Sequence, residues 1–336
     1  MKLTIIDHLP LGILEQTADK LFQILLGPTL INIKGLKTEA IFISVLLHGN
    51  EITGWDAVRS LLKEYQNKSL HRSICLFIGN IQAAKENKRV LSHQLDYNRA
   101  WNKPSIEDEL LTEQQIMQAV ITEVKKHPLF ASIDIHNNTG LNPHYACINI
   151  QQNQFYHLAL LFSPTIVYFI QPDSVQSMAF SKLCPAVTLE CGQSGEAEGI
   201  NHVKQYLQKV LNLDYLSGSD IAAESINLYH TMGIVKIPEN ISFSFIGQGN
   251  QINFHKDLES YNFKPIEANT IWAETTAEYH KLQVFDEAGV DVFDYYFSIK
   301  NGILKNKKAF MPAMITLNEE IIRQDCLCYI MEKIHI

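Results

Sequence analysis

Residues 40–47, AIFISVLL, carry no charge and a single polar side chain over the full length of a strand. Such a run suits a strand covered on both faces, and strands of that kind belong to sheets with helices above and below. Thr53 then opens a helical pattern through Trp55, Val58, Leu61 and Leu62, and SICLFIG at 73–79 reads as a second buried strand. Further strands are expected at 130–136, 145–150, 165–170 and 185–191. An amphipathic helix fits 107–126, with Leu110, Leu111, Ile116, Val120, Ile121 and Val124 on one side and Pro128 as its stop; another fits 199–212. This alternation implies an α/β fold built on a mostly parallel, mixed sheet with helices on both faces, where functional groups collect at the carboxyl ends of the strands.

After residue 214 the texture changes. Residues 226–336 hold no long helical period but many short β-rich runs, INLYHTMGIVKI, TIWAETT, VFDYYFSI and CLCYIMEKI among them. The chain therefore divides into an α/β domain over 1–216 and a smaller β-rich C-terminal domain over 217–336, with SGSD at 217–220 near the boundary.

Composition narrows the function. With 336 residues, 46% hydrophobic and 19% charged, the chain is an ordinary globular one. A net charge of −8 argues against a nucleic-acid partner, whose binding face would be basic. The absence of a long apolar run argues against a membrane span, and Asp7, His8 and Pro10 break up the N-terminal apolar stretch that a secretory signal would need. Its six cysteines lack the density and spacing of a disulfide framework, so a cytoplasmic location is expected. A homo-oligomer is compatible with the sequence and not required by it.

Four motifs carry chemistry. The first, His48-Gly49-Asn50-Glu51, leaves the strand at 40–47. A catalytic zinc takes three ligands from histidine and carboxylate, and Gly49 allows a turn tight enough to bring His48 and Glu51 to one ion. The second is Asp134-Ile135-His136-Asn137-Asn138-Thr139-Gly140, where strand alternation turns Asp134 and His136 to one side. His136 is then a candidate third ligand, with Asp134 behind it. The third is Arg89 followed by Asp96-Tyr97-Asn98-Arg99-Ala100-Trp101. Arginine grips carboxylates with its planar fork, Asn98 adds a donor, and Asp96 is placed to orient a metal-bound histidine. The fourth, Thr188-Leu189-Glu190-Cys191-Gly192, ends an apolar strand on a carboxylate, a costly position unless that group is paired or functional. Each motif alone also has a plain reading, as a helix start, a loop histidine or a solvated charged loop.

In this order the motifs resemble the succinylglutamate desuccinylase/aspartoacylase family, a branch of the zinc carboxypeptidase superfamily, over roughly residues 38–212. The resemblance implies a zinc carboxypeptidase-like fold and one Zn2+ per chain held by His48, Glu51 and His136. It implies a deacylase that hydrolyses the amide bond of a small anionic N-acyl amino acid by attack of zinc-bound water. Glu190 would be the general base and acid, Arg89 would polarise the scissile carbonyl, and Asn98 and Arg99 would bind the substrate carboxylate. Asp96 and Asp134 would stand behind the ligands.

Two other function classes stay open. One is a carboxypeptidase-like enzyme acting on a peptide or cell-wall fragment; the other is a non-catalytic metal-binding or ligand-sensing protein. His93 and His144 compete as ligands, and Glu196, Glu198 and His202 in the polar stretch after Glu190 could line a pocket mouth. Acidic groups there would suit a substrate with a neutral or positive part.

Overall fold

The computed structural model describes residues 2–102, 112–245, 247 and 249–335. The chain forms two compact units, the first comprising Met1–Asn137 and His144–Asn227, the second Asn138–Pro143 and Leu228–Ile336. The division thus falls later than 216/217, and a short insertion from the first half goes with the second unit.

In the first unit the strands are β1 (Thr4–Ile6), β2 (Thr29–Ile33), β3 (Lys37–Val45), β4 (Arg72–Ile78), β5 (Leu129–His136), β6 (Tyr145–Ile148), β7 (Thr165–Tyr168) and β8 (Ala186–Glu190). Between them run α1 (Thr53–Glu64), α2 (Ile81–Lys85), α3 (Thr112–Val124), α4 (Asn153–Leu160), α5 (Gln176–Phe180) and α6 (Ala197–Asn212). The expected helix over 107–126 is seen as α3; residues 107–111, with Leu110 and Leu111, lie outside the described residues. The sheet order is β1-β2-β4-β3-β5-β8-β6-β7. Strands β4, β3, β5 and β8 are mutually parallel, while β2 on β4 and β6 on β8 run antiparallel, so the sheet is mixed and mostly parallel.

Strand alternation gives the two faces different characters. On one, Ser44, Ser132 and Asp134 are buried, Gln176 of α5 donates to Ser132 Oγ at 2.6 Å, and Phe42 stacks on Phe180 of α5 with ring centroids 4.2 Å apart. Trp101 meets Phe42, Phe77 and Phe180 edge-on and completes this cluster. On the opposite face Gly54 of α1 comes against Val45 and Ile135, and α1 packs on α6. All six cysteines are buried and unbridged. Among the described residues no helix is long and apolar enough to cross a membrane.

The second unit contains β9 (Asn227–Lys236), β10 (Phe243–Ser244), β11 (Ile252–Phe254), β12 (Ile271–Thr275), β13 (Gln283–Phe285), β14 (Phe297–Lys300), β15 (Ile303–Asn306), β16 (Met311–Ala313) and β17 (Cys328–Ile334), with short helices α7 (Phe293–Tyr296) and α8 (Glu319–Gln324). A five-stranded sheet runs β10-β11-β12-β15-β14, and β16, β17 and β9 form a second antiparallel set that β13 joins through β9. Trp272, fully buried, anchors the core between these layers, with Phe297 edge-on at 5.2 Å and Phe310 at 5.8 Å.

One polar group holds the first unit together far from the strand exits. Arg72, fully buried at the start of β4, donates to the carbonyl of Leu213 at 2.9 Å and to Glu39 Oε2 at 2.8 Å, with its guanidinium over the Phe130 ring at 3.7 Å. Arg72→Ala would empty a fully buried side-chain site, remove the stacking on Phe130 and break the bond to the half-buried Leu213 carbonyl, a loss of about 3 kcal/mol. A melt followed by circular dichroism is therefore expected to shift down by about 6–12 °C. A shift within about 1 °C would show that the arginine contributes no more than a surface side chain does.

Candidate metal centre

Parallel strands that are neighbours in a sheet end side by side, and β3, β5 and β8 are such neighbours. Position His136 of β5 pairs in register with Glu190 of β8, so the last residues of both strands lie together. The loop leaving β3 brings His48 and Glu51 to the same place before α1 begins at Thr53. Gly49 sits between them, packed against the backbone of α2. A Cβ there would lie 2.2 Å from the Ala84 nitrogen and 2.3 Å from the Ala83 carbonyl carbon.

His48, Glu51 and His136 are buried, each offering one ligand atom, all within 4.8 Å of one another. Glu51 is the hub. Its Oε1 lies 2.8 Å from His48 Nδ1 and its Oε2 lies 2.7 Å from His136 Nδ1. The far nitrogens meet carboxylates: His48 Nε2 is 3.0 Å from Asp96 Oδ1, and His136 Nε2 is 2.9 Å from Asp134 Oδ2. Asp134 is itself held by Ser44 Oγ, which donates to Oδ1 at 2.7 Å.

This donor set can be tested for the ion it would hold. Carboxylates only accept, and each ring meets one at both nitrogens; a neutral imidazole donates to only one of them, so with Nε2 donating to Asp96 or Asp134 each Nδ1 turns a lone pair toward Glu51. Acceptors 2.7 to 2.8 Å apart repel unless positive charge stands with them, either protons on both rings or one cation. Burial drives an imidazole toward neutrality, yet Asp134 and Glu51 hold His136 well above its ordinary value. His48 is raised too, against burial and Arg89, by Asp96 and Glu51. Burial likewise opposes ionisation of Glu51, but His48 and His136 outweigh it and hold the carboxyl far below the usual range. Two imidazoles and one carboxylate, arranged around a demand for positive charge, fit a divalent metal with a fourth position left over.

The remaining candidates surround this group. Burial pushes Glu190 up to about 7 against the pull of His136, and its buried Oε2 has no hydrogen-bond partner among the described residues. Arg89 Nη1 donates to Glu51 Oε1 at 3.4 Å and Nη2 to Asp96 Oδ2 at 3.5 Å. Asp96 begins the 3-10 turn Tyr97–Arg99, where its Oδ1 accepts from the Asn98 amide at 2.7 Å. Burial works against charge on Asp96, but His48, Arg89 and Arg99 keep it well below its ordinary value.

Asn98 is more inward than its expected carboxylate-binding role suggests. It is buried, its Oδ1 accepts from the Gln176 amide at 3.0 Å, and its Nδ2 lies 3.1 Å from His136 Nε2. Arg99 is half-buried, with Nη1 donating to the Asn98 carbonyl at 3.0 Å.

Neither competing histidine joins the group of His48, Glu51 and His136. His93 is exposed, and His144 packs on the ring of His202 at 4.9 Å and that of Phe162 at 6.0 Å. His202 donates to the Phe162 carbonyl at 2.8 Å. Glu196 and Glu198 stand at the start of α6, where negative charge complements the helix dipole.

Sequence reasoning gave no role to Ser44, Gln176 or Thr53, nor to Asn137, although Asn137 lies inside a motif. Alternation in β3 put Ser44 on the side of Asp134's strand partners, a legible signal; the other contacts depend on which loops meet.

Comparison with known proteins places this chain in a family. The model of the succinylglutamate desuccinylase/aspartoacylase catalytic domain matches residues 37–215, more than half of the chain. The chain belongs to that family, one of deacylating hydrolases. A search of curated proteins returned no match.

Among solved structures, a succinylglutamate desuccinylase from Vibrio parahaemolyticus shares 14% identity, with 89% of this chain and 82% of that one covered and a TM-score of 0.58. A succinylglutamate desuccinylase/aspartoacylase from Rhodobacter sphaeroides shares 11% identity over 90% of this chain and 88% of that one, with a TM-score of 0.59. A point mutant of murine aminoacylase 3 shares 13% identity over 90% of this chain and 97% of that one, with a TM-score of 0.57. At these identities the likeness is one of fold.

Two substitutions test the centre. Asp134→Asn keeps the shape but weakens the hold on His136, and zinc affinity, read by competition with a chromophoric chelator, is expected to fall about 10–100-fold. Unchanged affinity would mean that Asp134 does not support a ligand. Gly49→Ala drives a methyl into the backbone of α2 and is expected to destabilise the fold by about 2–3 kcal/mol in urea titrations, with zinc affinity reduced. Normal stability would contradict the tight packing at that turn.

Proposed function

We propose that this chain is a zinc-dependent amidohydrolase that frees an amino acid from a small anionic N-acyl derivative. The observation that carries this reading is the buried convergence of His48 Nδ1, His136 Nδ1 and the Glu51 carboxylate, a set that calls for a cation. A zinc ion held there supplies a Lewis acid for the amide carbonyl and brings the pKa of water toward ~7. Glu190 ends the neighbouring strand with a bare carboxylate oxygen. There it takes a proton from water during attack and returns it to the leaving nitrogen, so one group acts first as base and then as acid. The Arg89 guanidinium, beside Glu51 and Asp96, stabilises the negative charge that grows on the carbonyl oxygen.

Substrate grip falls mainly to Arg99, whose planar fork suits a carboxylate, with Asn98 holding the turn that presents it. The family model and the named enzymes among the structural neighbours, desuccinylases and an aminoacylase, support an acylated amino acid over a peptide.

The test is amine release from a panel of N-acyl amino acids and short peptides, with and without a chelator. Chelator-sensitive release from an N-acyl amino acid is the expected result; release from peptides alone would replace the proposal with a carboxypeptidase. Glu190→Ala is expected to lower kcat about 10²–10⁴-fold with the metal still bound. Loss of the metal in that variant would make Glu190 a ligand instead.

A further inference from the structure

Asn137 follows the ligand His136 directly, and its backbone and side chain face different partners. The backbone N–H donates to Glu51 Oε2 at 3.1 Å. Its buried side chain meets the start of α1 and the loop beyond β8. Oδ1 accepts from the Thr53 amide at 3.3 Å, while Nδ2 donates to Thr53 Oγ1 and to the Gly192 carbonyl, each at 3.0 Å. Thr53 Oγ1 in turn accepts from the Gly195 amide at 3.3 Å. Nearby, Ser194 Oγ accepts from the Ile52 amide at 3.1 Å and donates to the Asn50 carbonyl at 2.7 Å. Thus the loop carrying Glu51 and the loop leaving Glu190 are joined by side chains at several points.

Gly192 makes this join possible. It turns the chain two residues past Glu190 with φ of 71°, a left-handed conformation that L side chains rarely adopt, and a Cβ there would lie 3.0 Å from His144 Nε2. A carbonyl presented by such a turn has few local partners, and the asparagine amide supplies one.

We infer that Asn137, acting with Thr53, is the positioning residue that fixes Glu190 relative to the ligand Glu51. This inference rests on the role given to Glu190 above. The split between backbone and side chain makes a sharp expectation, because replacing the side chain keeps the N–H bond to Glu51. Metal binding should survive while the strand end bearing Glu190 loosens.

The experiment uses the full chain loaded with zinc and compares Asn137→Ala, Thr53→Val and Thr53→Ser, each also in a Glu190→Ala background. Amide hydrogen exchange over 191–196 is expected to quicken about tenfold or more in Asn137→Ala and Thr53→Val. Zinc affinity should stay within about threefold of the parent, since losses of 10-fold and more mark groups that support a ligand. With the substrate found by the acyl panel, kcat is expected to fall about 10²-fold with KM little changed, as a misplaced catalytic group would cause. Thr53→Ser keeps the hydroxyl and is expected to restore both exchange and kcat.

In the Glu190→Ala background the Asn137→Ala loss should vanish, since both act through one group. Full additivity there, unchanged exchange over 191–196, or zinc affinity falling in step with kcat would each overturn the inference. The parent reading fails differently: Glu190→Ala alone would then leave turnover intact, and the link through Glu190 would fall with it.

Discussion

Glu51 stands between the Nδ1 atoms of two buried histidines, and with Asp96 and Asp134 on the Nε2 atoms of neutral rings it faces two lone pairs. A buried carboxylate facing two lone pairs has to be compensated by a positive charge, and excellent geometry is needed before such a group can be kept out of water. Asp96 and Asp134 answer part of the problem. By taking the far proton of each imidazole they fix which nitrogen turns inward, so the centre is set for a cation by its surroundings as well as by its ligands.

The sheet order explains how ligands far apart in sequence meet. Parallel β3, β5 and β8 lie side by side, and their carboxyl ends deliver the 48–51 loop, His136 and Glu190 to one edge. The faces are divided to match. Ser44, Ser132 and Asp134 share the polar face under α5, while Val45 and Ile135 meet α1 on the other side. A one-residue slip of β5 would turn Asp134 and His136 together to the opposite face, away from Ser44 and Glu51, and bring isoleucines to the polar side.

Much of this was legible in the residues. Long apolar, β-branched runs located β3, β4, β5 and β8, as expected of strands covered on both faces, with Asp134 and Glu190 as the charged interruptions. Shorter elements escaped. β2 is a five-residue run that pairs antiparallel near the edge of the sheet, and α4 and α5 span eight and five residues, too few for a period to stand out. VFDYYFSI read as one β run, but Asp291 Oδ1 accepts from the Phe293 amide at 2.9 Å and starts the short helix α7 before β14 begins at Phe297. At the centre, residue type and spacing exposed the charged groups. Asn98, whose amide suits it as a donor, is turned inward against His136 and the Gln176 amide. Asn137 has no such signal, because its partners, Thr53 at the start of α1 and Gly192 in the loop after β8, are brought together only by the folded sheet.

We propose that His48, Glu51 and His136 hold one metal, with His48 and His136 binding through their inward-facing Nδ1 atoms. A crystal of the purified chain, with diffraction recorded on either side of the zinc absorption edge, tests it most directly. A single anomalous peak is expected about 2.0–2.2 Å from both Nδ1 atoms and a Glu51 oxygen, with Asp96 and Asp134 still on the Nε2 atoms. A peak bound through Nε2, or located at the His144–His202 pair with the Glu51 site lacking metal, would contradict it.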